Sequence, residues 1–186
     1  MAANSSSAAA NPTPLGLAGF GLTTILLNIH NAGFFELNVM IMSMGVFYGG
    51  IAQLIAGIME YRRGNTFGTV AFVSYGSFWL SLVFIWIVPR MGLPAADPVS
   101  IGWYLAIWGL FTFILFIGVL GGSTIGKLIF GSLTILFFLL ALANFTGSHN
   151  IHTIAGFVGI ACGGFALYEA AALVINEKRG RRILPL

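Results

Sequence analysis

A chain of 186 residues in which 58% are hydrophobic and only 7% charged is too poor in charge to solvate a globular surface, where about a quarter of residues are ordinarily charged. It reads as a membrane protein, which excludes a secreted disulfide scaffold, a nucleic-acid-binding domain and an ordinary cytosolic enzyme. The single Cys162 has neither a bridging partner nor a metal-binding companion, and the net charge of +3 matters less than where the basic residues stand.

Met1 to Ala10 is mostly Ala, Ser and Asn with no basic residue ahead of the apolar run. It therefore lacks the charged start of a secretory signal and is expected to be a disordered tail. Six stretches then approach the roughly 20 apolar residues that a spanning helix needs: Leu15 to His30, Val39 to Met59, Phe67 to Pro89, Ile101 to Leu120, Ile125 to Phe145 and Ile151 to Ile175. Runs such as Leu133 to Leu142 are apolar on every face, unlike the alternating segments of a membrane β-barrel. The expectation is an all-α membrane protein with six transmembrane helices. One domain occupies residues 15–175, between an N-terminal segment over 1–14 and a basic tail over 176–186.

Positive residues collect on the cytoplasmic side. With a cytoplasmic N-terminus, the inner segments hold Arg62, Arg63, Lys127, Lys178, Arg179, Arg181 and Arg182, and the outer segments only Arg90. Seven against one places both termini in the cytoplasm, with a cell membrane as the site. Gly45, Gly49 and Gly50 in the second span echo Gly159, Gly163 and Gly164 in the sixth. The echo reads either as an old duplication or as convergent close packing.

Polar groups inside hydrocarbon mark helix contacts or a water path. No Lys or Arg lies well inside a span, Glu36 and Glu60 fall at span ends, and Glu169 stands as the sole intramembrane acid. Glu169 is a candidate proton site, with pairing to a neighbouring helix as the alternative. Uncharged groups remain, among them Thr23, Thr24 and Asn28 in the first span, Gln53 in the second, Ser74, Tyr75, Ser77 and Ser81 in the third, and Ser132, Thr134 and Asn144 in the fifth. Neutral donors pass a small solute without trapping it; the alternative is that such groups bond their own helix backbone. His30, His149 and His152 gather at the outer side but lack the companions of a metal or catalytic set, so no enzyme, metal or cofactor is expected.

The opening run Asn11-Pro12-Thr13-Pro14-Leu15-Gly16-Leu17 closely resembles the Asn-Pro-Ala-Pro-Leu-Gly-Leu signature of the acetate uptake transporter family, whose bacterial members include the succinate-acetate permeases, with Thr13 in place of Ala. The likeness continues through Leu26 to Asn31, Phe47 to Gln53, Glu60 to Gly68 and Ser74 to Leu80, and thins afterwards, with Ser132-Leu133-Thr134 and the Arg-Arg-Ile-Leu-Pro tail still recognisable. The resemblance implies a six-helix protomer, a homohexamer, and passage of acetate, succinate or other short carboxylates through a pore in each protomer. It also implies a hydrophobic constriction of Phe20, Tyr75 and Leu133.

Spacing bears on that mapping. The three residues lie within about one helical turn of a common depth, counted from the expected inner ends of their spans. Helical periodicity then sets Thr24 and Leu27 above Phe20, Trp79 above Tyr75, and Leu136, Leu140 and Asn144 above Leu133. Asn28 and Asn144 become candidates for an outer vestibule in which an amide greets a carboxylate. Asn11, at the head of the signature, and Gln53 complete the candidate path. Tyr75 is expected to supply a hydroxyl to the anion, and the Pro-containing start of the first helix to present free N–H groups to it. Two other functions fit the same uncharged lining less well: a channel for neutral amides such as urea, and a non-transporting membrane sensor or scaffold.

Overall fold

The computed structural model describes residues 10–186. The expected disordered leader therefore lies, except for Ala10, outside the described residues. Among those residues there is no strand, and six helical rods follow one another through short turns. Helix α1 spans Thr13–Asn31, α2 Val39–Arg62, α3 Thr66–Met91, α4 Pro98–Val119, α5 Thr124–Thr146 and α6 His149–Arg179. Five of them, α2 to α6, are long and apolar enough to cross a membrane. Helix α1, with 19 residues, is diluted by Gly16, Gly19 and Gly21 and by buried Thr23, Thr24, Asn28 and Asn31.

Local chemistry explains the ends. Helix α1 starts two residues before the expected Leu15, because Pro14 sits in its first turn, where a missing N–H costs nothing. Asn65, Asp97, Ser123 and Ser148 cap α3 to α6 through side-chain oxygens, each satisfying backbone N–H groups that have no partner within the helix. At Asp97 the Ser100 hydroxyl, followed by first-turn N–H groups, holds the carboxyl below its usual range. Gly147 and Gly180 close α5 and α6 with φ of 66° and 62°, a conformation that suits glycine. The sixth helix runs past the expected Ile175 to Arg179, which sets Lys178 and Arg179 in its last turn, where the helix dipole favours cations. Beyond it the chain folds back. Asn176 Oδ1 accepts from Ile183 N at 2.7 Å and Leu184 N at 2.9 Å, and Tyr168 donates to the Pro185 carbonyl at 2.8 Å.

Packing sets α1 in the interior. An added Cβ on Gly21 would stand 2.8 Å from the Gly163 carbonyl, and one on Gly163 would stand 2.7 Å from the Gly21 carbonyl, so α1 and α6 meet backbone to backbone. Across from this contact, residues Gly45–Ala52 of α2 form a π-helical stretch. Its Gly49 leaves room for Trp79 and Thr23. The glycine echo between α2 and α6 has a packing cause at particular positions: Gly49 of the π-helical stretch and Gly159 and Gly163 of α6 admit α1, whereas Gly45 and Gly50 admit side chains of α3.

Gly163→Ala is expected to lower thermal stability in detergent by about 1–3 kcal/mol, since the obstructing atoms are backbone and cannot swing away. Gly164→Ala is the control, because an added Cβ there meets nothing within 4 Å. Equal melting points for the two variants would refute the backbone contact.

Candidate functional site

Phe20, Tyr75 and Leu133 lie seven, nine and nine positions into α1, α3 and α5. At a rise of about 1.5 Å per residue they differ in depth by only about 3 Å. All three are buried, and the Phe20 and Tyr75 rings are 5.7 Å apart. They share the walls of two small voids. One, with room for water of about 20 Å³, is completed by Leu17, Gln53, Ala71, Phe72, Ile129 and Phe130. The other, about 30 Å³, is completed by Thr24, Leu27, Asn28, Phe78, Trp79, Leu136, Phe137 and Leu140. A water needs about 10–15 Å³ of such space, so each void holds one or two waters, and the ring side chains must swing for anything larger.

Wider pockets lie at either end. Toward the start of α1 a pocket of about 330 Å³ is walled by Thr13, Leu17, Asn65, Ala71, Phe72, Phe130 and Glu169, among others, and shares Leu17, Ala71, Phe72 and Phe130 with the first void. Toward the opposite end a pocket of about 770 Å³ gathers His30, Asn31, Glu36, Asn144, His149 and His152. A second pocket, of about 410 Å³, shares Asn144 with it and reaches Leu82 and Arg90. Of the sequence-derived candidates, Thr24, Leu27, Asn28, Trp79, Leu136 and Leu140 therefore face one void, Gln53 the other and Asn144 the outer pockets. Asn11 stands apart, accepting from the Arg63 guanidinium and from Thr13 N.

Among the described residues, three buried side-chain polar atoms have no hydrogen-bond partner: Thr24 Oγ1, Gln53 Oε1 and Trp79 Nε1. Each belongs to a wall of one of the two voids. Leaving such an atom unsatisfied costs about 1–3 kcal/mol, and native structures keep few of them. All three stand beside the apolar ring of Phe20, Tyr75 and Leu133.

Several expectations are corrected. The Tyr75 hydroxyl points to α4, donating to Thr112 Oγ1 at 3.0 Å, while Thr112 donates to the Trp108 carbonyl at 2.7 Å. Its O–H is therefore already used, and only the ring borders the two voids. The amide N–H of Asn28 is given to the Thr24 carbonyl and that of Asn144 to the Leu140 carbonyl, both at 2.9 Å. Asn28 Oδ1 accepts from Asn31, whose own Oδ1 meets His152 Nε2 at 3.1 Å. At the start of α1, Thr13 N bonds Asn11 and Leu15 N bonds the Pro12 carbonyl, so those N–H groups are not free. Glu169 is also not the sole buried acid. It is only partly covered, whereas Glu60 has no exposed surface and accepts from Thr13 Oγ1 and Asn65 Nδ2. Thr112 and Glu60 escaped the sequence reading. For Glu60 a signal existed, since Asn65 is a helix cap five residues further on.

Among the described residues the fold is an all-helical bundle with five helices long and apolar enough to cross a membrane, and two small voids lie between wider pockets at its ends. The GPR1/FUN34/yaaH family model matches residues 1–185, and the chain belongs to this family. It is 53% identical over 178 residues to the succinate-acetate/proton symporter SatP of Escherichia coli strain K12, covering 95% of each chain. It is 40% identical to ammonia transport outward protein 2 of Saccharomyces cerevisiae, over 91% of this chain and 63% of that one. Among solved structures, the bacterial acetate channel SatP superposes with a TM-score of 0.94 at 52% identity, over 96% of this chain and 99% of the other.

Tyr75→Phe is expected to cost about 0.5–1.5 kcal/mol of stability, the worth of one hydrogen bond, while most of the transport rate is kept. A rate falling far more than the melting point would return the hydroxyl to the path.

Proposed function

We propose that this protein carries acetate and related short carboxylates, succinate among them, through a path inside each protomer whose narrowest point is the ring of Phe20, Tyr75 and Leu133. The observation that carries this reading is the placement of three unpartnered polar atoms in the two voids flanking an apolar ring. A carboxylate has a polar end and, in acetate, a methyl end. The Thr24 O–H and Trp79 N–H are donors for the first, and Phe20 and Leu133 are surfaces for the second. Gln53, its amide turned by half a rotation, offers N–H on the other side of the ring.

A narrow apolar collar penalises hydrated ions, and neutral donors offset that cost without the trap a buried Lys or Arg would set. The names of the relatives agree with this cargo: one is a succinate-acetate/proton symporter and another an acetate channel. In this reading α1 is a sixth span. Its 19 residues reach about 28 Å, close to the hydrocarbon thickness of about 30 Å, and interior burial relieves it of the need to be apolar. Both termini then face the cytoplasm across a cell membrane, as the basic residues direct, and the protomers assemble as a homohexamer in the bilayer.

Liposomes containing only this protein are expected to take up labelled acetate, with competition by formate and propionate but none by urea. Absence of flux, or block by urea alone, would defeat the proposal. Leu133→Ala is expected to raise lactate uptake relative to acetate by about tenfold, the scale set by a few methylenes in an apolar site. An unchanged substrate range in a correctly assembled variant would remove Leu133 from the constriction.

A further inference from the structure

The end of α6 carries a basic cluster that takes no part in the path described above. Lys178 and Arg179 stand in the last turn of the helix and Arg181 follows Gly180; all three are exposed. Four residues earlier stand Val174 and Ile175, apolar and also exposed, at 54% and 38%. Residues four apart share a helix face, so Val174 lies below Lys178 and Ile175 below Arg179. Each cation thus stands about 6 Å further along the axis than an apolar side chain on its own face.

The chain beyond Gly180 is held against α6. Asn176 grips it with both ends of its amide: Oδ1 accepts from Ile183 N and Leu184 N, and Nδ2 donates to the Leu184 carbonyl at 2.8 Å. The Tyr168 hydroxyl holds the Pro185 carbonyl, and Leu186 packs on the apolar core. This return keeps Arg181 near the last turn of the helix and leaves Ile183 46% exposed. Arg182 gives an N–H to Leu186 O at 2.9 Å, so it belongs to the fold-back and not to the free cations. Two negative contributions oppose the cluster, the exposed Glu177 and the roughly half-unit charge of a helix C-terminal end. Three cations outweigh both.

We propose that this end of α6 and the returning segment bind an anionic phospholipid, with its phosphate at Lys178, Arg179 and Arg181 and its acyl chains along Val174, Ile175 and Ile183. Charge alone suits any phosphate. The exposed apolar side chains beside the charges select a phosphate joined to hydrocarbon, since a free phosphate or a soluble acidic partner leaves that surface uncovered. A basic cluster immediately after a spanning helix is also placed at the level of the headgroups. A zwitterionic lipid offers the same phosphate but brings a cation that three basic residues repel, so the preference is for net negative charge. The grip of Asn176 orders the returning segment before any lipid arrives, which lowers the cost of binding.

The test needs no transport and stands apart from the identity of the cargo. Native mass spectra of the full chain, titrated in neutral detergent with phosphatidylglycerol or phosphatidylcholine, are expected to show the first bound about a hundredfold more tightly, at about fivefold for each basic residue. Lys178→Gln is expected to weaken phosphatidylglycerol about fivefold, and joint replacement of Lys178, Arg179 and Arg181 by Gln to abolish the preference. Asn176→Leu keeps every charge but frees the returning segment, and is expected to cost about as much as losing one cation. Glycerol phosphate, which lacks acyl chains, is expected not to compete. Equal binding of the two lipids to the wild type, or an unchanged preference in the triple variant, overturns the site, and so does displacement by glycerol phosphate. A triple variant that changes its oligomeric state while keeping its lipid assigns the surface to a second copy instead and also overturns it. If the triple variant fails to insert, Lys178→Gln decides. Unchanged binding in Asn176→Leu overturns the part given to the returning segment.

Discussion

Backbone contact between α1 and α6 is the constraint on which the rest depends. Gly21 and Gly163 each admit the other's carbonyl where a Cβ would not fit, and in a membrane such close approach supplies the dispersion contacts that hold helices together. With α1 drawn inward, Phe20 and Thr24 wall the void that α3 and α5 complete, while Asn28 packs on Gly159 of α6 at the edge of the same void. A larger residue at either glycine would displace this face and the ring with it. The π-helical stretch of α2 has a matching role, since Gly49 gives Trp79 and Thr23 the room to sit beside α1.

From that arrangement follows an interior that is polar in a restricted way. Asn28, Asn31 and His152 form a hydrogen-bonded series between one void and the outer pocket, while Tyr75 and Thr112 bind α3 to α4 behind the ring. These groups are satisfied and hold the walls. Thr24, Gln53 and Trp79 are not satisfied, and they stand where the walls come closest together. The polar groups that hold the walls are thus separated from Thr24, Gln53 and Trp79 by whether they have a partner, a distinction that burial alone does not make.

Much of this was legible in the chain. Apolar runs located the helices to within a few residues, because a spanning segment has little freedom in length or composition. Counting from helix starts placed Phe20, Tyr75 and Leu133 at one level, since rise per residue is nearly constant. Hydrogen-bond direction was not legible. Whether the Tyr75 hydroxyl faces the path or Thr112, and whether Asn28 is free or bonded to the Thr24 carbonyl, depends on rotamers and on the rotation of neighbouring helices. Glu60 was misjudged for a related reason. A residue at a span end looks exposed in one dimension, yet the turn at Asn65 and the start of α1 fold over it.

The inner end then carries a consequence for how an anion enters. The wall of the inner pocket has Glu169 and no Lys, Arg or His, and Glu60 lies just behind Thr13. A carboxylate arriving there meets negative charge before it meets the neutral donors beside the ring. On the proposed reading, the ring sets what passes, and the acidic wall of the inner pocket sets how an anion approaches it.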